Sequence, residues 1–145
     1  LLACDFDLRP VGAARRPSAE APLHVALYRR DPRIGAVAHT HSVAATVLSR
    51  RYAAQGALRL EGYEMAKALA GVSTHTHAVV IPIVANDQDM RRLAAAVEER
   101  LAAEPGAPAY LVAGHGLTTW APDLPTLRRH GEALEFLLAC ALAER

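Results

Sequence analysis

Short apolar runs alternate with stretches of helical period along this 145-residue chain, and that alternation predicts an α/β fold, a sheet flanked by helices. Three strand-like runs, IGAVAHTH, HAVVIPIV and YLVA, carry the sheet side of the argument. Between them apolar residues recur at helical spacing. Hydrophobic residues make up 52% of the chain and charged ones 21%, enough to bury a core and inconsistent with disorder.

Residues 1–17 read as irregular, with Gly12, Arg15, Arg16 and Pro17 marking a loop. From Ser18 a helix is expected, with Ser18 as its cap, Glu20 where the helix dipole favours an anion, and Pro22 in the first turn. Leu23, Ala26 and Leu27 form its apolar stripe, and Asp31-Pro32 ends it. Ile34–His41 reads as a strand. Ser42 then caps a second helix with Val43, Val47 and Leu48 on one face. Residues 61–70 read as a third helix closed by Gly71. His77–Val84 is β-branched, and Pro82 within it points to a sheet edge or a strand end. Asp87 is placed to cap a helix whose Met90, Leu93, Ala94, Val97 and Leu101 share one face. After the Glu104-Pro105-Gly106 turn, Tyr110–Ala113 is a buried strand that stops at Gly114-His115-Gly116, and Leu117–Trp120 pairs back on it. Asp123–Glu144 closes the chain as a long helix with Leu127, Leu134, Leu137, Leu138 and Ala141 inward. Gly131 inside it is either a weak point or a place of close packing.

Composition narrows the function classes. Sixteen basic against fifteen acidic residues build no field for a polyanion, so nucleic acid is not an expected partner. Two cysteines, Cys4 and Cys140, cannot frame a disulfide-stabilised fold; they read as packed thiols of a reducing, cytoplasmic setting. With no apolar run of membrane-spanning length, no membrane partner is expected. The chain opens at Leu1 as if within a domain, so residues 1–145 are expected to be a single domain whose natural beginning lies upstream.

Histidine is the residue out of proportion, with seven copies. His39 and His41 stand at i and i+2 on a strand, so both rings point to one face at its carboxyl end. Two buried unpaired imidazoles are costly, and a divalent metal removes that cost; the alternative is a pair of solvated rings at a strand tip. His115, between two glycines at the carboxyl end of another strand, is the third expected ligand. Three histidines leave one tetrahedral position open, the pattern of a catalytic site. His75 and His77 repeat the spacing and are a rival metal pair, but they precede their strand, and read as structural or exposed. His24 and His130 read as helix-surface or core histidines. An open metal site needs a proton-transfer group, which makes candidates of Glu20, otherwise a helix-dipole or capping glutamate, and Glu64, otherwise a solvated one.

The stretch Pro17-Ser18-Ala19-Glu20-Ala21-Pro22-Leu23-His24, then His39-Thr40-His41-Ser42, then Gly114-His115-Gly116-Leu117 with Trp120, resembles the class II aldolase family of zinc-dependent sugar-phosphate enzymes along nearly the whole chain. Gly62-Tyr63-Glu64-Met65, Gly71–His75, Pro82-Ile83 and Asn86–Met90 carry a finer likeness, to the branch of that family that dehydrates a methylthio-substituted ketose phosphate in methionine salvage. The resemblance implies a three-layer α/β/α fold with a central, mainly antiparallel sheet. It implies one zinc ion per subunit held by His39, His41 and His115, and Glu64 as the acid/base, with Glu20 second because its position serves in related aldolases. It further implies a phosphorylated ketose as substrate and a homotetramer with sites near subunit interfaces. Family members also carry an upstream part that holds the substrate phosphate. Thr118 and Ala121 depart from the family pattern, standing where relatives often have an aromatic residue and a glycine. Two other readings are carried forward: carbon–carbon cleavage by a sugar-phosphate aldolase through the same zinc-stabilised enediolate, and a zinc-binding domain without turnover.

Overall fold

A computed structural model describes residues 2–12 and 15–144. Five strands form one sheet: β1 (Ala36–Thr40), β2 (Ala57–Leu60), β3 (Val79–Val84), β4 (Ala109–Val112) and β5 (Gly116–Ala121). Their order across the sheet is β1-β5-β4-β3-β2, and every pairing is antiparallel except β3 with β4. Four α-helices accompany it: α1 (Ala21–Arg30), α2 (Val43–Arg51), α3 (Met90–Ala103) and α4 (Leu124–Ala143).

Strand alternation sorts the core into two layers. Leu58, Leu60, Val79, Ile81, Ile83, Ala109 and Leu111 face α2 and α4. Tyr110, Val112 and Val84 face Leu23 and Leu27 of α1 and Leu93, Val97 and Leu101 of α3. The result is the expected α/β/α sandwich with a mainly antiparallel sheet.

Several local expectations are corrected. Helix α1 starts later than Ser18: Glu20 is its N-cap, and the Ser18 hydroxyl instead accepts from the Glu20 N–H (3.3 Å). Asp89, not Asp87, caps α3, accepting from the N–H groups of Arg91 and Arg92; Asp87 holds the preceding turn and pairs with Arg92. In α2 Leu48 is inward as expected, with Ala44, Ala45 and Ser49, but Val43 and Val47 are both exposed. The stretch read as helix 61–70 holds only a 3₁₀ turn, Glu64–Ala68, because Gly62 at φ +86° and the extended Tyr63 precede it. Strand β2 had no counterpart in the sequence reading. Pro82 lies in an interior strand: its neighbour Ile83 donates to Gly56 on the β2 side (2.8 Å), so the missing N–H falls on the β4 side, where the parallel ladder begins only at Ile83. Cys4 is exposed rather than packed. Nothing stands within 4 Å of where a Gly131 Cβ would be, so no close packing requires that glycine.

Candidate metal centre

Strand β5 lies between β1 and β4 and runs against both, so β1 and β4 point the same way and their carboxyl ends meet at one end of the sheet. His39 is the fourth residue of β1, and His41 follows the strand on the same face. Ser42 accepts from the Ala45 N–H (3.0 Å) and turns the chain into α2 directly after His41. His115 sits in the tight β4–β5 connection, where Gly114 takes φ +69°. Glu20 ends the segment leading into α1, the helix that covers this face.

These four residues converge. One ligand-capable atom from each of Glu20, His39, His41 and His115 lies within 4.8 Å of all the others. Nε2 of His39 is 2.7 Å from Nε2 of His41 and 3.4 Å from Nε2 of His115. The Glu20 carboxylate is 3.0 Å from His115 Nε2 and 3.6 Å from His39 Nε2. Such separations suit donors around one ion bound at about 2.1 Å. Among the described residues this is the one such group; His75 and His77 lie outside it, both exposed.

Two further observations test whether the residues fit an ion. Burial, together with the rings of His41 and His115, lowers the His39 pKa against the opposing pull of Glu20, favouring the neutral imidazole a metal needs. The space is kept by glycine: a Cβ on Gly116 would stand 2.1 Å from the Thr40 carbonyl oxygen, 2.9 Å from His41 Cδ2 and 3.1 Å from His39 Cε1. The donor set, three imidazoles and one carboxylate, is that of a divalent cation. An open cavity of about 470 Å³, lined by Ser18, Glu20, Ala21, His24, His39 and His41, gives access from solvent.

Residues 1–142 match the sequence model of the class II aldolase and adducin N-terminal domain. The chain belongs to that family. Among the relatives of this class II aldolase-family chain, a protein of Sorangium cellulosum named methylthioribulose-1-phosphate dehydratase is 57% identical over 129 residues, 89% of this chain and 61% of that one. A protein of the same name from Parvibaculum lavamentivorans is 59% identical over 89% of this chain and 63% of its own length. The chain therefore spans about three-fifths of the length of these curated relatives. Among solved structures, an L-fuculose 1-phosphate aldolase superposes with a TM-score of 0.76 at 22% identity, over 99% of this chain and 61% of the other. The L-fuculose-1-phosphate aldolase of Thermus thermophilus does so with a TM-score of 0.63 at 25% identity, over 92% of this chain and 66% of the other.

Glu64 is not brought to the cluster. It follows β2, the strand at the far edge of the sheet from β1, and β2 runs toward the opposite end from His39 and His115. Four strand spacings separate β1 from β2, about 19 Å. Glu64 is exposed, pairs with Lys67, and lies 3.8 Å from His75 Nδ1. The Lys67 ammonium lowers its pKa, so the carboxylate is ionised. Glu20, the second carboxylate of the sequence reading, is the one inside the cluster. That it would stand among the imidazoles could not be read from spacing, because the packing of α1 on the sheet places it there.

Proposed function

We propose that this chain belongs to a zinc-dependent hydro-lyase that removes water from 5-methylthioribulose 1-phosphate, giving a 2,3-diketo-5-methylthiopentyl 1-phosphate in methionine salvage. The observation that carries the reading is the convergence of His39, His41, His115 and Glu20 on one point. The substrate is argued from the relatives of that name at 57% and 59% identity.

Zinc held by His39, His41 and His115 supplies Lewis acidity toward the ketose carbonyl and its neighbouring hydroxyl. The chain's own groups manage the proton. An ionised carboxylate, Glu64 by preference, takes the proton from the carbon next to the carbonyl. The C–O bond on the following carbon breaks, and the same carboxylate returns its proton to the departing hydroxyl as water. The enol left behind tautomerises to the diketone. Because Glu64 is remote from its own chain's cluster, it serves the site of a neighbouring copy in a cytoplasmic homotetramer. Glu20 faces the three imidazoles and is either the fourth metal donor or the second proton carrier.

Metal analysis of the purified protein and turnover of 5-methylthioribulose 1-phosphate test this reading. About one equivalent of zinc and release of the diketone phosphate are expected. The Glu64→Gln variant should keep its zinc and lose activity by about 10²–10⁴-fold. Glu20→Gln separates its two roles: loss of zinc marks a donor, zinc kept without turnover marks a proton carrier. Wild-type turnover in Glu64→Gln overturns the role given to that residue. A second reading, a sugar-phosphate aldolase, is favoured by Glu20 standing inside the cluster. It predicts an aldehyde and a shorter ketose phosphate as products in place of water loss.

A further inference from the structure

The three imidazoles are not held in the same way. His39 has a ring partner: its Nδ1 is 3.0 Å from the Thr118 hydroxyl, which fixes the ring with Nε2 toward the cluster. His115 is held by its ring only on the cluster side, where Nε2 meets Glu20 (3.0 Å) and His39 (3.4 Å); its Nδ1 is buried without a hydrogen-bond partner among the described residues. With Nδ1 unpartnered, no bond at that nitrogen aims the ring as Thr118 aims His39, which leaves the main chain of the turn to set where the ring starts.

The main chain is gripped from one element. The Thr46 hydroxyl donates to the His115 carbonyl oxygen (2.9 Å). The Ser49 hydroxyl accepts from the Gly114 N–H (3.0 Å) and donates back to the Thr46 carbonyl (3.0 Å). Ser49 is fully buried, a polar group the core accepts only because both of its bonds are made. Both residues lie in α2, which begins one residue beyond Ser42, itself the neighbour of His41. One short helix therefore starts at one ligand and holds the turn that carries another.

We propose that Thr46 and Ser49 are positioning residues for the metal site, setting His115 through its peptide groups as Thr118 sets His39 through its ring. The proposal rests on reading the cluster as a metal centre. It assigns the polar side of α2 to the site, and not merely to fold stability.

Cobalt(II) tests it, with affinity measured by chelator competition and geometry by the visible absorption of the bound ion. Thr46→Val removes the hydroxyl at nearly constant shape, and Thr46→Ser keeps it. Thr46→Val and Ser49→Ala should weaken cobalt binding about 10- to 100-fold and alter its absorption, while Thr46→Ser retains both wild-type values. Should Ser49→Ala fail to fold, the Thr46 pair still decides. Wild-type affinity and absorption in Thr46→Val, or equal losses in Thr46→Val and Thr46→Ser, would overturn the proposal. Wild-type protein that binds no cobalt overturns the metal-centre reading and this inference with it, whereas wild-type binding with an unaffected Thr46→Val overturns the inference alone.

Discussion

Histidines in this chain do different work according to what their two ring nitrogens meet. At the cluster, His39 Nε2 lies 2.7 Å from that of His41 and 3.4 Å from that of His115, an arrangement that neutral rings and a shared cation make tolerable. His130 shows the opposite case. It is 4% exposed; its Nε2 accepts from the Ala70 N–H (3.2 Å), and its Nδ1 is 3.3 Å from the Trp120 carbonyl. Burial lowers its pKa below the ordinary 6.5, outweighing the Trp120 bond. The unfolded chain therefore takes up a proton at a higher pH than the folded one. The stability His130 contributes is fully present above about pH 6.5 and is lost as pH falls toward the folded value. Denaturation midpoints should drop between pH 7 and pH 5, and His130→Gln, which can still accept from Ala70, should show a shallower drop. Identical slopes in the two proteins would exclude His130 as a source of the pH dependence.

At the scale of elements, Gly131 offers a direct test of helix energetics. It lies inside α4, outside the left-handed backbone region, with open space where a methyl group would go. Replacing glycine by alanine in such a position should stabilise the fold by about 1 kcal/mol, a rise of about 3 °C in Tm. An unchanged or lower Tm for Gly131→Ala would mean that α4 gains nothing from a better helix former there. The elements that sequence made legible are those with their own signal: the stripe of α3, the Ser42 cap, and the β-branched β3. Strand β2 was missed because ALRL is four residues long and takes its conformation from pairing with β3, a contact no local pattern announces. The 61–70 stretch misled because its composition favours helix while Gly62 prevents one from starting there. The same division holds at the site. Spacing on a strand brought His39 and His41 together in the reading, and the glycines flanking His115 marked a turn. The grip of Thr46 and Ser49 arises only when α2 packs on the β4–β5 connection.

For the whole molecule, the sheet order makes a prediction about assembly. Glu64 stands at the opposite edge and the opposite end of the sheet from the imidazoles of its own chain, with about 19 Å of strands between them. No side-chain rotation spans that distance, so a catalytic Glu64 has to be supplied by a second copy. Two inactive proteins then suffice to rebuild a working site. A chain lacking His39 keeps a usable Glu64, and a Glu64→Gln chain keeps its metal ligands. Unfolded together in equal amounts and refolded, they should form mixed oligomers in which about a quarter of the sites combine intact ligands with an intact Glu64, the product of two halves for random pairing. Activity should return to about a quarter of wild type, while each variant refolded alone stays inactive. Mixed oligomers without recovered activity, verified by co-purification of differently tagged chains, would mean that Glu64 does not act across copies. The proton would then fall to Glu20, among the described residues the one carboxylate that the fold itself carries to the imidazoles.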